Sequence, residues 1–67
     1  MKVSLNDREE DISEKISLQS FLQQQGLADT KGIAVALNQT VVPRKDWPET
    51  SLQQNDSILI IKATQGG

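Results

Sequence analysis

Cysteine and histidine are both absent from this chain of 67 residues, which has one tryptophan, one phenylalanine and two prolines. Without cysteine no disulfide can form, and without either residue no Cys₄ or Cys₂His₂ zinc site can be built. The commonest general base and the best nucleophile are missing for the same reason. A chain this short also cannot easily wall a ligand-sized pocket. A free-standing enzyme is therefore not expected.

Long apolar runs are missing too. The longest is Ile33–Leu37, far short of the roughly 20 residues of a membrane-spanning helix. The amino-terminal MKVSLNDREE lacks the apolar stretch of a secretory signal, so a cytoplasmic protein is expected. Seven Lys and Arg stand against nine Asp and Glu, a net charge of −2. Nucleic-acid binders carry a basic stripe, which this balance does not supply. Neither a nucleic-acid nor a membrane partner is expected. The length allows one domain with a light core, of the kind that supplies only about 3–5 kcal/mol of stability.

What is present is patterned. Lys2–Asn6 alternates polar and apolar residues, with Val3 and Leu5 on one side, as in a half-buried strand. Asn6–Glu9 reads as a polar turn, and Glu10–Glu14 as a returning strand with Ile12 inward. The acidic residues Asp7, Glu9, Glu10, Asp11 and Glu14 could supply metal ligands. On an edge hairpin they are better read as solvated surface that blunts edge-to-edge pairing.

A helix is expected over Leu18–Gln25. Ser17 is the N-cap, Ile16 and Phe21 form a hydrophobic staple, and Leu18, Phe21 and Leu22 make one apolar stripe. Gly26 stops the helix, and Leu27 folds back onto its end. Ala28–Gly32 is a loop, and Gly32–Asn38 is a strand with Ile33, Val35 and Leu37 on one face and Ala34 and Ala36 on the other. Gln39-Thr40 breaks the run before Val41-Val42 resumes it, and Pro43 ends it. Arg44–Trp47 reads as a helical turn closed by Pro48. Trp47 is expected to close a corner of the core. Arg44 and Lys45 beside it also offer a small basic site, though a solvated turn is the simpler reading.

Leu52 is a lone apolar anchor, Gln54–Asp56 is a turn, and Ser57–Ala63 is the last strand. That strand is apolar on both faces, as central strands are. The pattern is symmetric, so parity is not fixed; we place Leu59 and Ile61 outward. These elements assemble as an α+β domain with one helix on one face of a mixed sheet of four or five strands, the first and last strands adjacent in the middle. The uncovered face then carries Ala34, Ala36, Leu59, Ile61, Lys2 and Ser4, a mildly apolar surface suited to docking a partner. The expected division is a folded domain over 1–63 and a flexible tail over 64–67.

The tail carries the chemistry. Thr64, Gln65, Gly66 and Gly67 follow directly on a strand, and glycines can enter a narrow channel in conformations closed to other residues. From Thr64 to Gly67 the reach is roughly 13 Å at ~3.3 Å per residue. The reactive group offered is the α-carboxylate of Gly67. A carboxylate is inert to nucleophiles until ATP converts it to an acyl-adenylate, from which a thiol, persulfide or amine can displace AMP.

Gly32–Arg44, GIAVALNQTVVPR, followed by Trp47, and Asp56–Gly67, DSILIIKATQGG, resemble the small sulfur-carrier family of thiazole (thiamine) biosynthesis, in the ubiquitin-like β-grasp superfamily. The likeness covers the chain end to end, although its amino-terminal third carries no family signature. It implies a β-grasp fold and a monomer that holds no cofactor, phosphopantetheine included. It implies that an adenylating enzyme related to ubiquitin-activating enzymes uses ATP to form the Gly67 acyl-adenylate. It further implies sulfur from a cysteine desulfurase or other persulfide donor, a thiocarboxylate at Gly67, and delivery to thiazole synthase. The diglycine is shared with the molybdopterin-synthase small subunit, other thiocarboxylate carriers and ubiquitin-like covalent modifiers, which are the alternatives.

Overall fold

In the computed structural model, which describes residues 1–62, the chain opens with a hairpin of β1 (Lys2–Leu5) and β2 (Arg8–Asp11). The turn is shorter than the sequence suggests. Asn6 and Asp7 take φ of 48° and 70°, the left-handed pair that a two-residue hairpin loop needs and that Asn and Asp tolerate. The returning strand therefore starts at Arg8 and ends at Asp11, not over Glu10–Glu14. Ile12 lies past it, half-buried against the core, with its N–H donating to the Met1 carbonyl at 2.8 Å.

Helix α1 spans Leu18–Gln24, with Gln25 as its C-cap. The Ser17 hydroxyl accepts from the Ser20 N–H at 3.0 Å, satisfying one of the donors a helix start leaves free. At the other end Gly26 takes φ +73°. Its N–H donates to Gln23 O at 3.0 Å, and that of Leu27 to Leu22 O at 2.8 Å, the paired bonds of a Schellman stop. Ile16, Leu18, Phe21 and Leu22 are all buried, as staple and stripe require.

Strand β3 (Ile33–Leu37) and β4 (Thr40–Val41) form the second hairpin. Its turn is Asn38-Gln39, with φ of 51° and 73°, so Thr40 belongs to the strand and not to the break. A 3-10 helix follows over Arg44–Glu49. Pro48 lies inside it and does not close it. The helix runs on because the Thr50 N–H reaches Trp47 O at 3.3 Å and the Thr50 hydroxyl donates to Asp46 O at 2.7 Å. Strand β5 covers Ser57–Lys62.

Among the described residues the strands form one mixed sheet in the order β2-β1-β5-β3-β4, with β1 and β5 parallel and the other pairs antiparallel. The first and last strands are neighbours at the centre, as expected. Helix α1 and the 3-10 helix lie on the same side. Their Leu18, Phe21, Leu22 and Trp47 meet Val3, Val35 and Ile58 of the sheet, with Leu52 completing the cluster. Leu52 is held by backbone bonds as well as by burial: its N–H donates to Ile16 O at 2.9 Å, and Leu18 N–H to Thr50 O at 2.7 Å.

Trp47 is 1% exposed, and its indole N–H donates to Val42 O at 2.9 Å. Arg44 stacks its guanidinium 4.4 Å above the Trp47 ring and donates to the carbonyls of Ala28 and Thr30. Its fork thus ties the loop after α1 to the 3-10 helix. Trp47 does close a corner of the core, and Arg44 is engaged there.

Candidate functional site

The sheet has one face under the helices and one open. Parity along β5 is settled by burial: Ile58 is 1% exposed, whereas Leu59 and Ile61 are 48% and 46% exposed. Leu59 pairs with Ala36 and Ile61 with Ala34 on β3, so these four share the open face, in the one of the two parities in which we place them. Lys2 and Ser4 lie there too. Ala34 is half-buried, but Ala36 is only 6% exposed. It lies between Val41 and Leu59 in the pairing, so it forms floor and not standing surface.

Ala36 also pairs with Val41 across the short hairpin. Val41, 60% exposed, is the third large apolar side chain standing in solvent among the described residues, with Leu59 and Ile61. All three occupy one face, on β4 and β5, across the alanines of β3. The sequence reading passes over Val41. A two-residue loop at Asn38-Gln39 sets Val41 opposite Ala36, and that loop was the available signal.

The start of β5 is pinned on both flanks by asparagine side chains. Asn38 accepts from the Ser57 N–H at 2.9 Å and donates to the Asp56 carboxylate at 3.0 Å. Asp56 in turn accepts from the Gln53 N–H at 2.7 Å. On the other flank Asn6 accepts from the Ile60 N–H at 2.8 Å. β1 itself pairs with β5 only at Ser57 and Ile58, so the Asn6 side chain continues the ladder where β1 has already turned away.

The hairpin acids are exposed apart from half-buried Glu10. Glu9 faces Lys2 at 3.9 Å and Asp11 the amino terminus at 3.9 Å. Among the described residues no three acidic groups converge as a metal site would require, and no helix is long and apolar enough to cross a membrane. Ala63, Gln65, Gly66 and Gly67, including the expected modification site and channel-binding residues, lie outside the described residues, as does the division proposed between domain and tail.

The order of strands, with the helix on one face, is that implied by the resemblance to a β-grasp sulfur carrier. Comparison with known proteins decides the family. The model of the ThiS family matches residues 2–67. The chain belongs to the ThiS family. It is 30% identical to the sulfur carrier protein ThiS of Escherichia coli K12 over 67 residues, covering 100% of both chains. The fold is similar to a crystal structure of the thiamine biosynthesis protein ThiS from Geobacter metallireducens, with a TM-score of 0.87, 20% identity and full coverage of both chains. A solution structure of a thiamine biosynthesis protein from the same organism gives a TM-score of 0.76 at 22% identity, covering 100% of this chain and 88% of that one. At these identities the structures establish the ThiS β-grasp fold; family and curated relative carry the sulfur-carrier role in thiamine biosynthesis.

Proposed function

We propose that the chain carries sulfur as a thiocarboxylate on Gly67 and that its open sheet face docks the enzymes that load and unload it. The observation that supports docking is the gathering of Val41, Leu59 and Ile61 on the one face no helix covers. Isolated exposed aliphatics need no explanation, but a contiguous set on one face marks an interaction surface. β5 runs through this face and ends at Lys62, five residues before Gly67 in the chain.

In this reading the Gly67 carboxylate oxygen attacks the α-phosphorus of Mg²⁺-bound ATP in an adenylating enzyme. Pyrophosphate leaves, and the acyl-adenylate forms. Hydrosulfide can displace AMP directly. A persulfide, supplied through a cysteine desulfurase, instead gives an acyl disulfide, whose S–S bond a second thiol cleaves. Either route leaves a thiocarboxylate, whose soft anionic sulfur suits nucleophilic delivery to thiazole synthase. Gln65 and Gly66 supply the narrow segment that threads the enzyme's channel. The chain itself is a co-substrate and not a catalyst: it holds no cofactor, and ATP belongs to the partner. This chemistry belongs in the cytoplasm with those enzymes.

The test is ATP–pyrophosphate exchange with the adenylating enzyme, followed by intact-mass analysis with a sulfur source. The intact chain should exchange one oxygen for sulfur at Gly67. Deleting Gly67, extending the chain past it, or Gly66→Val should abolish exchange without loss of fold. Exchange by the deleted or extended chain would overturn the proposal. Accumulation of a lysine conjugate with no thiocarboxylate would replace it with a covalent-modifier role.

A further inference from the structure

The open face is not flat. Beside Leu59, between the two left-handed hairpin turns, lies a dent of about 290 Å³, at the foot of the ~300–1,000 Å³ range of ligand pockets. Its floor is apolar, formed by Ala36 with Leu59 as a wall. Its rim is polar: Asn6 and Asp7 from the first turn, Gln39 from the second, and Ser57 at the start of β5. The size suits one long side chain of a partner.

The rim says which one. Among the described residues the side chains of Asp7, Gln39 and Ser57 make no hydrogen bond, and Asp7 has no ion pair. Of the cations around the first hairpin, Lys2 faces Glu9 and the amino terminus Asp11, while Arg8, next to Asp7 in the chain, makes no ion pair with it. The Asn6 carbonyl oxygen is already taken by the Ile60 N–H. Three oxygen acceptors, one of them a carboxylate, thus surround an apolar floor in a chain of net charge −2. A purely apolar side chain would bury this rim without partners, which is costly above all for the carboxylate. Lysine brings a compact point charge. Arginine brings an apolar stem for the floor and a planar fork of five donors for several acceptors at once. Arginine is also among the side chains that dominate interface energetics.

We propose that the dent receives an arginine side chain from the docked enzyme, its stem on Leu59 and Ala36 and its guanidinium against Asp7. This rests on the docking role given to the open face. Two measurements test it, and only one depends on that role. First, the ¹⁵N-labelled chain is titrated with N-acetyl-arginine methylamide, with the lysine and leucine analogues alongside. Amide shifts should concentrate at Asn6, Asp7, Gln39 and Ser57, saturate in the millimolar range, and weaken at least fivefold in Asp7→Asn. Asparagine suits the left-handed turn, so that variant should fold. Shifts scattered over the surface, undiminished in Asp7→Asn, equalled by the leucine analogue, or absent would overturn the inference.

Second, Asp7→Asn should raise the KM of the adenylating enzyme for the chain about tenfold, with kcat changed less than twofold and a shallower dependence of KM on salt. Asp7→Lys should raise KM further. An unchanged or lowered KM would overturn the arginine contact. Failure of the wild-type chain to be adenylated at all would instead remove the proposed function, and the titration would still decide what the dent accepts.

Discussion

Replacing Arg44 with alanine separates a basic surface site from a structural clamp. The guanidinium makes three contacts that alanine loses: hydrogen bonds to the carbonyls of Ala28 and Thr30, and stacking on Trp47 at 4.4 Å. The Ala28 bond lies in a part-buried setting, beside a residue only 6% exposed. A charge-assisted bond there is worth about 1.5–2 kcal/mol. The Thr30 bond is exposed and contributes about 0.5–1 kcal/mol after solvent competition. Stacking adds about 0.5–1 kcal/mol. The loss of about 2.5–4 kcal/mol approaches the whole stability expected of so small a domain. Since 1 kcal/mol shifts Tm by about 4–8 °C at this size, Arg44→Ala should melt at least 10 °C below the parent.

Arg44→Lys gives the sharper reading. Its charge is retained, but one ammonium cannot span two carbonyls and stack as a planar fork does. It should recover less than half of the loss. Urea unfolding by circular dichroism, with both variants and the parent sharing one m-value, supplies the comparison. A lysine variant as stable as the parent, or an alanine variant within about 0.5 kcal/mol of it, the scatter of ordinary surface substitutions, would refute the clamp. Arg44 would then be a free cation.

Phe21, 0% exposed, should cost about 3–5 kcal/mol when cut to alanine; the variant should be largely unfolded at 37 °C, and a cooperative melt near the parent's would contradict its burial. Leu59→Asp combined with Val41→Asp should leave the far-ultraviolet spectrum and melt intact, because both side chains stand in solvent. The pair should weaken capture by the adenylating enzyme and by thiazole synthase at least tenfold, and undiminished capture of both would remove the docking face.

The helical half of the fold was legible because its signals agree. The cap at Ser17, the staple, the stripe and the stop at Gly26 all name one helix, and the structure shifts its end by one residue. The strands were legible as apolar runs, but their ends were not. Both hairpin loops use two non-glycine residues at positive φ, so the first turn reads as longer than it is and the second as one residue late. That is why the second strand came late in the sequence reading and why Val41 was missed from the docking face. Pro48 misled for a different reason: the stop rests on the bias of the residue before proline against the helical region, yet Trp47 stays in the 3-10 helix and its carbonyl accepts from the Thr50 N–H. The parity of β5 could not be read at all from Ile58, Leu59, Ile60 and Ile61, which offer the same chemistry to both faces.

Something other than hydrophobicity must therefore hold β5 in register, since a slip by one residue would exchange its buried and exposed sets. The asparagine side chains do this. Asn38 bonds Ser57 and Asp56, and Asn6 bonds Ile60, each from a left-handed turn. Asn38→Gly keeps the turn's conformation accessible but removes both side-chain bonds, at about 0.5–1 kcal/mol each for exposed groups. Asn38→Ala removes the same bonds and adds about 1 kcal/mol for a Cβ in the left-handed region. Alanine should thus be the less stable of the two, and both should fall below the parent. Hydrogen exchange gives the local reading. The Ser57 amide, whose acceptor is the Asn38 side chain, should lose protection in both variants beyond what global destabilisation explains. The Asn38 amide bonds the Ser57 carbonyl through the backbone at 2.8 Å and should lose less. If Ser57 keeps its protection in Asn38→Gly, β5 is held by strand pairing and apolar burial alone. The exposure of Leu59 and Ile61 would then need another cause.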